Sequence, residues 1–127
     1  MTNNYCLFCD RANKKENKII LENDFCYARW DNFPLTEGHL EIVPKLHINS
    51  FFDLNNEQLI QLYSLLKEAK EIVQKKYNPD SYNIGINEGE TAGRTIPHLH
   101  MHLIPRYKGD VENPSGGIRN MLPDERK

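Results

Sequence analysis

The sequence predicts an α+β chain: an antiparallel sheet of about five strands with one long helix on one face. Three observations carry this. Short apolar runs of strand length lie on both sides of one long helical pattern. That pattern has a single apolar stripe, so the helix has one face to bury. The order of strands, one helix, then strands again suits an antiparallel sheet covered by a helix.

Each element follows from local chemistry. Ile19-Ile20-Leu21 and Phe25-Cys26-Tyr27-Ala28 are short apolar runs separated by Asn23-Asp24, a hairpin signal. Asp31-Asn32-Phe33-Pro34 and Glu37-Gly38 are turn chemistry. Leu40-Glu41-Ile42-Val43 reads as a third strand, stopped by Pro44. From Asn55 to Tyr77, residues Leu59, Leu62, Leu66, Ala69 and Val73 recur at helical spacing. Asn55 can cap this helix with Gln58 in the capping-box position, and Asn78-Pro79 ends it. Residues 81–86 and 98–104 read as the fourth and fifth strands, with a Gly-containing loop, Asn87 to Thr95, between them. Residues 108–127 read as an irregular tail.

The chain has 127 residues, enough for one domain with a real core. Apolar residues are 39% and charged residues 27%, a balance unlike a disordered, collagenous or membrane chain. No window approaches a membrane span, and the first residues lack the pattern of a signal peptide. Net charge is −2, so no global field draws the chain to nucleic acid. Any anion affinity is local. Three cysteines, an odd count with no secretory signal, point to a reducing, cytoplasmic location. There Cys6-Leu7-Phe8-Cys9 reads as a metal half-site or a redox pair before it reads as a disulfide. Cys26 reads as a core residue.

Five histidines are present, three of them in His98-Leu99-His100-Met101-His102. Strand alternation puts these three imidazoles on one face and Leu99, Met101 and Leu103 on the other. Beyond a surface strand that happens to carry His, such a row fits a metal site or catalysis, with a neutral imidazole as nucleophile and another as a phosphate-binding donor or acid. The preceding loop favours phosphate. Gly93 permits close backbone approach, and loop amides with Thr95 and Asn87 can receive an anion.

The string from Asn87 to Arg106, with its His-φ-His-φ-His core (φ apolar), resembles the histidine triad (HIT) superfamily. The segment Gly38-His39-Leu40-Glu41-Ile42-Val43-Pro44-Lys45-Leu46-His47 is similar to the family's upstream region. The resemblance covers residues 5–107 in order, and the whole chain is most similar to bacterial members of the dinucleoside polyphosphate hydrolase type. It implies a single histidine triad domain over residues 1–127.

By position, the resemblance implies that His100 is a nucleophile attacking the α-phosphorus, giving a nucleotidyl-histidine that water resolves. His102 then bonds the transferred phosphate, His39 lines the pocket, and Asp31 accepts a ribose hydroxyl. Asn87, Gly93 and Thr95 contact phosphate, and the base lies near Phe8, Ile20 and Phe25. Arg94 stands where the family usually has Gln. A longer, cationic side chain there can stabilise charge on a polyphosphate leaving group or swing to solvent.

In related members a Cys pair joins two His to hold zinc. The matching residues are Cys6, Cys9, His47 and His98, a closed structural site. The resemblance further implies a homodimer and a purine nucleotide or dinucleoside polyphosphate as ligand, with room for a divalent cation on the substrate. A nucleoside phosphoramidate hydrolase and a nucleotide-binding module without turnover are the alternatives.

Overall fold

A computed structural model describes residues 5–122. Its five strands are β1 (Ile19–Glu22), β2 (Cys26–Trp30), β3 (Leu40–Pro44), β4 (Ser81–Gly85) and β5 (Met101–Arg106). They form one sheet in the order β1-β2-β3-β5-β4, and every neighbouring pair is antiparallel. The helix α1 (Asn56–Tyr77) lies between β3 and β4 in sequence.

The helix starts where its capping chemistry dictates. The Asn55 side chain accepts from the Gln58 amide, and the Gln58 side chain accepts from the Asn55 amide. It ends at Asn78, whose left-handed backbone (φ 51°) turns the chain toward Pro79. Its buried residues are Leu62, Leu65, Ala69 and Val73. The expected stripe is thus rotated. Leu65 takes a core place, Leu66 is half-buried against the cluster, and Leu59 is exposed. The face packs on Ala28, Leu40, Ile42 and Leu103. Burial of each such leucine contributes about 2 kcal/mol.

The other face of the sheet carries a smaller cluster of Phe8, Tyr27 and Val43. Phe8 comes from the short 3-10 turn Leu7–Cys9, and the Tyr27 hydroxyl donates to its carbonyl. One sheet therefore has a helix side and a histidine side. Phe25 and Ile20 pack in the helix-side cluster, so they are not neighbours of the histidines; Phe8 is.

The fifth strand begins later than its alternation predicts. His98 and His100 lie in an extended lead-in, and only His102 falls within β5. The cause is Pro44, which has no N–H to extend the ladder beyond the Ile42–Met101 pair. Leu99 instead donates its amide to the Ile48 carbonyl. Alternation survives, since Leu99 and Leu103 are fully buried. The tail contains a short 3-10 turn, Gly117–Met121, and residues 123–127 lie outside those described.

One glycine fixes the approach to the histidine side. Gly38 has φ +89°, and a Cβ there would lie 2.8 Å from the Tyr77 ring. Only a residue without a side chain lets His39 follow so closely on the end of α1.

Candidate active site

Three backbone groups set the histidine tautomers. The Leu35 amide donates to His39 Nδ1 (3.1 Å), so the His39 proton sits on Nε2. Nε2 lies 2.9 Å from His102 Nδ1 and donates to it. The neutral His102 ring, on the pocket wall, then carries its own proton on Nε2. His100 Nδ1 donates to the His98 carbonyl (2.8 Å), which leaves Nε2 with a free lone pair. His98 Nε2 donates to the Pro44 carbonyl (2.8 Å), which turns its Nδ1 lone pair toward the cysteines. Burial is the main cause that lowers the basicity of His39, His100 and His102, so all three are neutral at pH 7.

The cavity above these rings holds about 350 Å³, a size suited to one nucleotide. Asp31, Asn87, Gly93, Arg94, Thr95, His100 and His102 line it, as does Phe8. His39 does not. It is 4% exposed and stands behind His102 as its hydrogen-bond donor. Asp31 Oδ1 accepts from the Phe33 amide, and Oδ2 lies 3.5 Å from His39 Nε2. Leu7, Phe33 and Ile96 form the apolar wall.

The loop from residue 87 to 95 is arranged differently from the expected anion nest. Its amides at Ala92, Gly93 and Arg94 are bonded to the carbonyls of Gly89 and Glu90. Gly93 (φ +101°) closes this turn against the Asn87 amide. The side chains of Asn87 and Thr95 remain on the pocket wall. The Arg94 guanidinium does not swing to solvent: it donates to the Asn49 carbonyl, and its charge further depresses His100 basicity.

Among the pocket residues that escaped the sequence reading, two are charged. Arg29 and Glu41 form a buried ion pair on the pocket floor. The available signal was a charge inside each of two apolar strands, at positions that pair in the β2–β3 register.

Cys6, Cys9, His47 and His98 converge, their ligand atoms all within 4.8 Å of one another. Cys6 Sγ is 3.3 Å from His98 Nδ1, and Cys9 Sγ is 3.2 Å from His47 Nδ1. Two thiols and two imidazole lone pairs at these separations fit a tetrahedral metal ion. Without one, burial and then Cys6 push the Cys9 thiol up to about 11. All three cysteines are free.

The HIT domain model matches residues 12–109. An uncharacterized HIT-like protein of Methanocaldococcus jannaschii is 35% identical over 94% of each chain. A bis(5'-adenosyl)-triphosphatase of Dictyostelium discoideum is 29% identical, over 89% of this chain and 75% of that one. Among solved structures, a HIT family protein of Bacillus anthracis superposes with a TM-score of 0.77 at 31% identity, covering 86% of this chain and 78% of that one. A zinc-bound histidine triad protein of Mycobacterium smegmatis gives 0.73 at 28%, covering 83% and 77%.

Proposed function

The chain belongs to the HIT family, and from that membership and the orientation of its histidines we propose that it is a nucleotide hydrolase. Its substrate class is the dinucleoside polyphosphates, and the bond cleaved is at the α-phosphate. The observation that carries this is the free lone pair on His100 Nε2, facing a nucleotide-sized cavity.

The residues divide the work. Asp31 accepts a ribose hydroxyl, and the base packs against Phe33 and Ile96. Asn87, Gly93 and Thr95 flank the phosphates, and His102 donates Nε2–H to the transferred one. His100 Nε2 attacks the α-phosphorus. The N–P bond forms, the P–O bond breaks, and its electron pair stays on the leaving oxygen. A polyphosphate leaves as an anion and needs no proton. Water then attacks phosphorus and gives up a proton to solvent as the new P–O bond forms, and the N–P electrons return to Nε2. Arg94, anchored on Asn49, supplies fixed positive charge at the pocket edge.

The four-residue Cys/His cluster holds structural zinc in this reading, since no coordination position stays open. The chain acts in the cytoplasm as one domain and as a homodimer. Family resemblance and free cysteines support this, and no helix among the described residues is long and apolar enough to cross a membrane.

The test is AMP release from diadenosine tetraphosphate. The protein should release it, and His100→Ala should lose at least about a hundredfold in rate. No release by the native chain redirects the reading to phosphoramidates, or to a binding module if those stay intact. Equal release by both proteins overturns the role of His100.

A further inference from the structure

We propose that Glu41 is the counter-charge to the cationic ring that His100 becomes on attack, a positioning residue that acts through His100 and not on the substrate. The inference rests on the hydrolase reading above and adds a residue to it.

The sheet register builds this contact. Arg29 of β2 lies opposite Glu41 of β3, and Glu41 lies opposite His102 of β5. Arg29 and Glu41 are 3% and 4% exposed. Arg29 Nη1 donates to Glu41 Oε1, and its other terminal nitrogen donates to the Glu16 carbonyl. Glu41 Oε2 is therefore aimed by a clamped carboxyl. It lies 4.0 Å from His100 Nε2 and 3.9 Å from His102 Nδ1. His102 Nδ1 is already served by His39. Oε2 thus faces the one histidine nitrogen whose charge changes in the reaction.

When Nε2 bonds to phosphorus the ring becomes an imidazolium, with Nδ1–H still held by the His98 carbonyl. No proton is exchanged in that step, since the leaving oxygen keeps the electron pair. An opposite charge at 4 Å in a poorly hydrated floor stabilises that cation far more than in water. A bare carboxylate beside an incoming phosphate would repel it. Arg29, bonded to the other carboxyl oxygen, offsets part of that repulsion; its own charge opposes a cationic His100, so the net support comes from the closer Oε2. As fold stabilisation alone the pair is a weak choice, because an apolar pair of the same volume would serve the sheet as well.

The groups facing Glu41 are Arg29 from β2, Asp31 beyond its end, and His100 and His102 from the β5 segment. Behind His102 is His39, from the approach to β3. Burial raises the carboxyl to about 7, with Arg29 opposing and Asp31 adding to the rise. The counter-charge exists only when the proton has left. Turnover should therefore rise with pH through about 7. Burial holds the three facing histidines below their ordinary value, and comparison with Glu41→Gln separates any limb of theirs from that of Glu41.

The experiment compares Glu41→Gln, Glu41→Asp and the native protein on saturating diadenosine tetraphosphate from pH 5.5 to 8.5. Glu41→Gln should lose about tenfold to a hundredfold in kcat while KM stays within about twofold. Its rise near pH 7 should vanish, and Glu41→Asp should keep the rise and recover part of the rate. An unchanged pH profile in Glu41→Gln, or a loss confined to KM, overturns the proposal. A second measurement needs no variant and no turnover. The native Glu41 carboxyl is titrated by carbon NMR with and without adenosine plus orthovanadate, which caps His100. The midpoint should fall by at least about one pH unit when the cap forms. A midpoint that stays put overturns the proposal, whereas a fall without any AMP release in the first assay overturns only the hydrolase reading.

Discussion

At the scale of single residues, the site is governed by which ring nitrogen carries each proton. One amide, from Leu35, orders two rings in series, His39 and then His102. Long-range proton–nitrogen spectra should show His102 protonated on Nε2 at pH 7, and His39→Leu should let the ring take either tautomer. Turnover should then fall by at least about twofold, since half or more of the His102 population no longer presents a donor to phosphate. Native His102 protonated on Nδ1 would contradict the relay. The residue types of this site were legible in the sequence because imidazoles at alternate positions are rare and carry their chemistry with them. Arg29 and Glu41 were not. Each sits alone in an apolar run, and only the β2–β3 register brings them together beneath His100.

At the scale of elements, local signals worked where they were strong and failed where a distant partner decided. The capping box and Asn78-Pro79 bounded α1 correctly, because both act within a few residues of the helix ends. The rotation of its stripe toward Leu65 was not legible, since the sheet beneath chooses which side chains it accepts. The start of β5 depended on the missing amide of Pro44, more than fifty residues away in sequence. The same rotation leaves Leu59, Ile60 and Tyr63 exposed, at 41%, 67% and 60%. These residues are neighbours on one helical face, and β4 is an open edge of the sheet. In a homodimer this face is the part of α1 available to a second copy. Light scattering at micromolar concentration should give twice the chain mass of 14.9 kDa, and Ile60→Lys should move it toward one. A native monomer at that concentration would remove dimerisation from the functional reading.

At the scale of the whole molecule, the N-terminal segment reaches the chemistry through one ring. Cys6 and Cys9 bracket the turn that carries Phe8, and Phe8 packs edge-on against His100 at 4.8 Å and His98 at 5.7 Å. A zinc ion on Cys6, Cys9, His47 and His98 would tie this turn to the histidine segment. Native protein purified without chelator should hold about one zinc per chain, and Cys9→Ser should lose it. Chelation should then expose a specific acid sensitivity. Burial, the leading cause, holds His98 at about 4 in the folded chain, against its ordinary value of 6.5. The folded state thus binds the proton less readily than the unfolded one. Stability is fully present above about 6.5 and is lost as pH falls toward 4, by on the order of 3 kcal/mol. Urea unfolding of the chelated protein at pH 7 and at pH 4 measures this. Equal stability at the two values would mean that His98 does not stay neutral in its buried place. The loss should be accompanied by weaker adenosine nucleotide binding before the chain unfolds, because Phe8 and the His98 carbonyl both hold His100 in position.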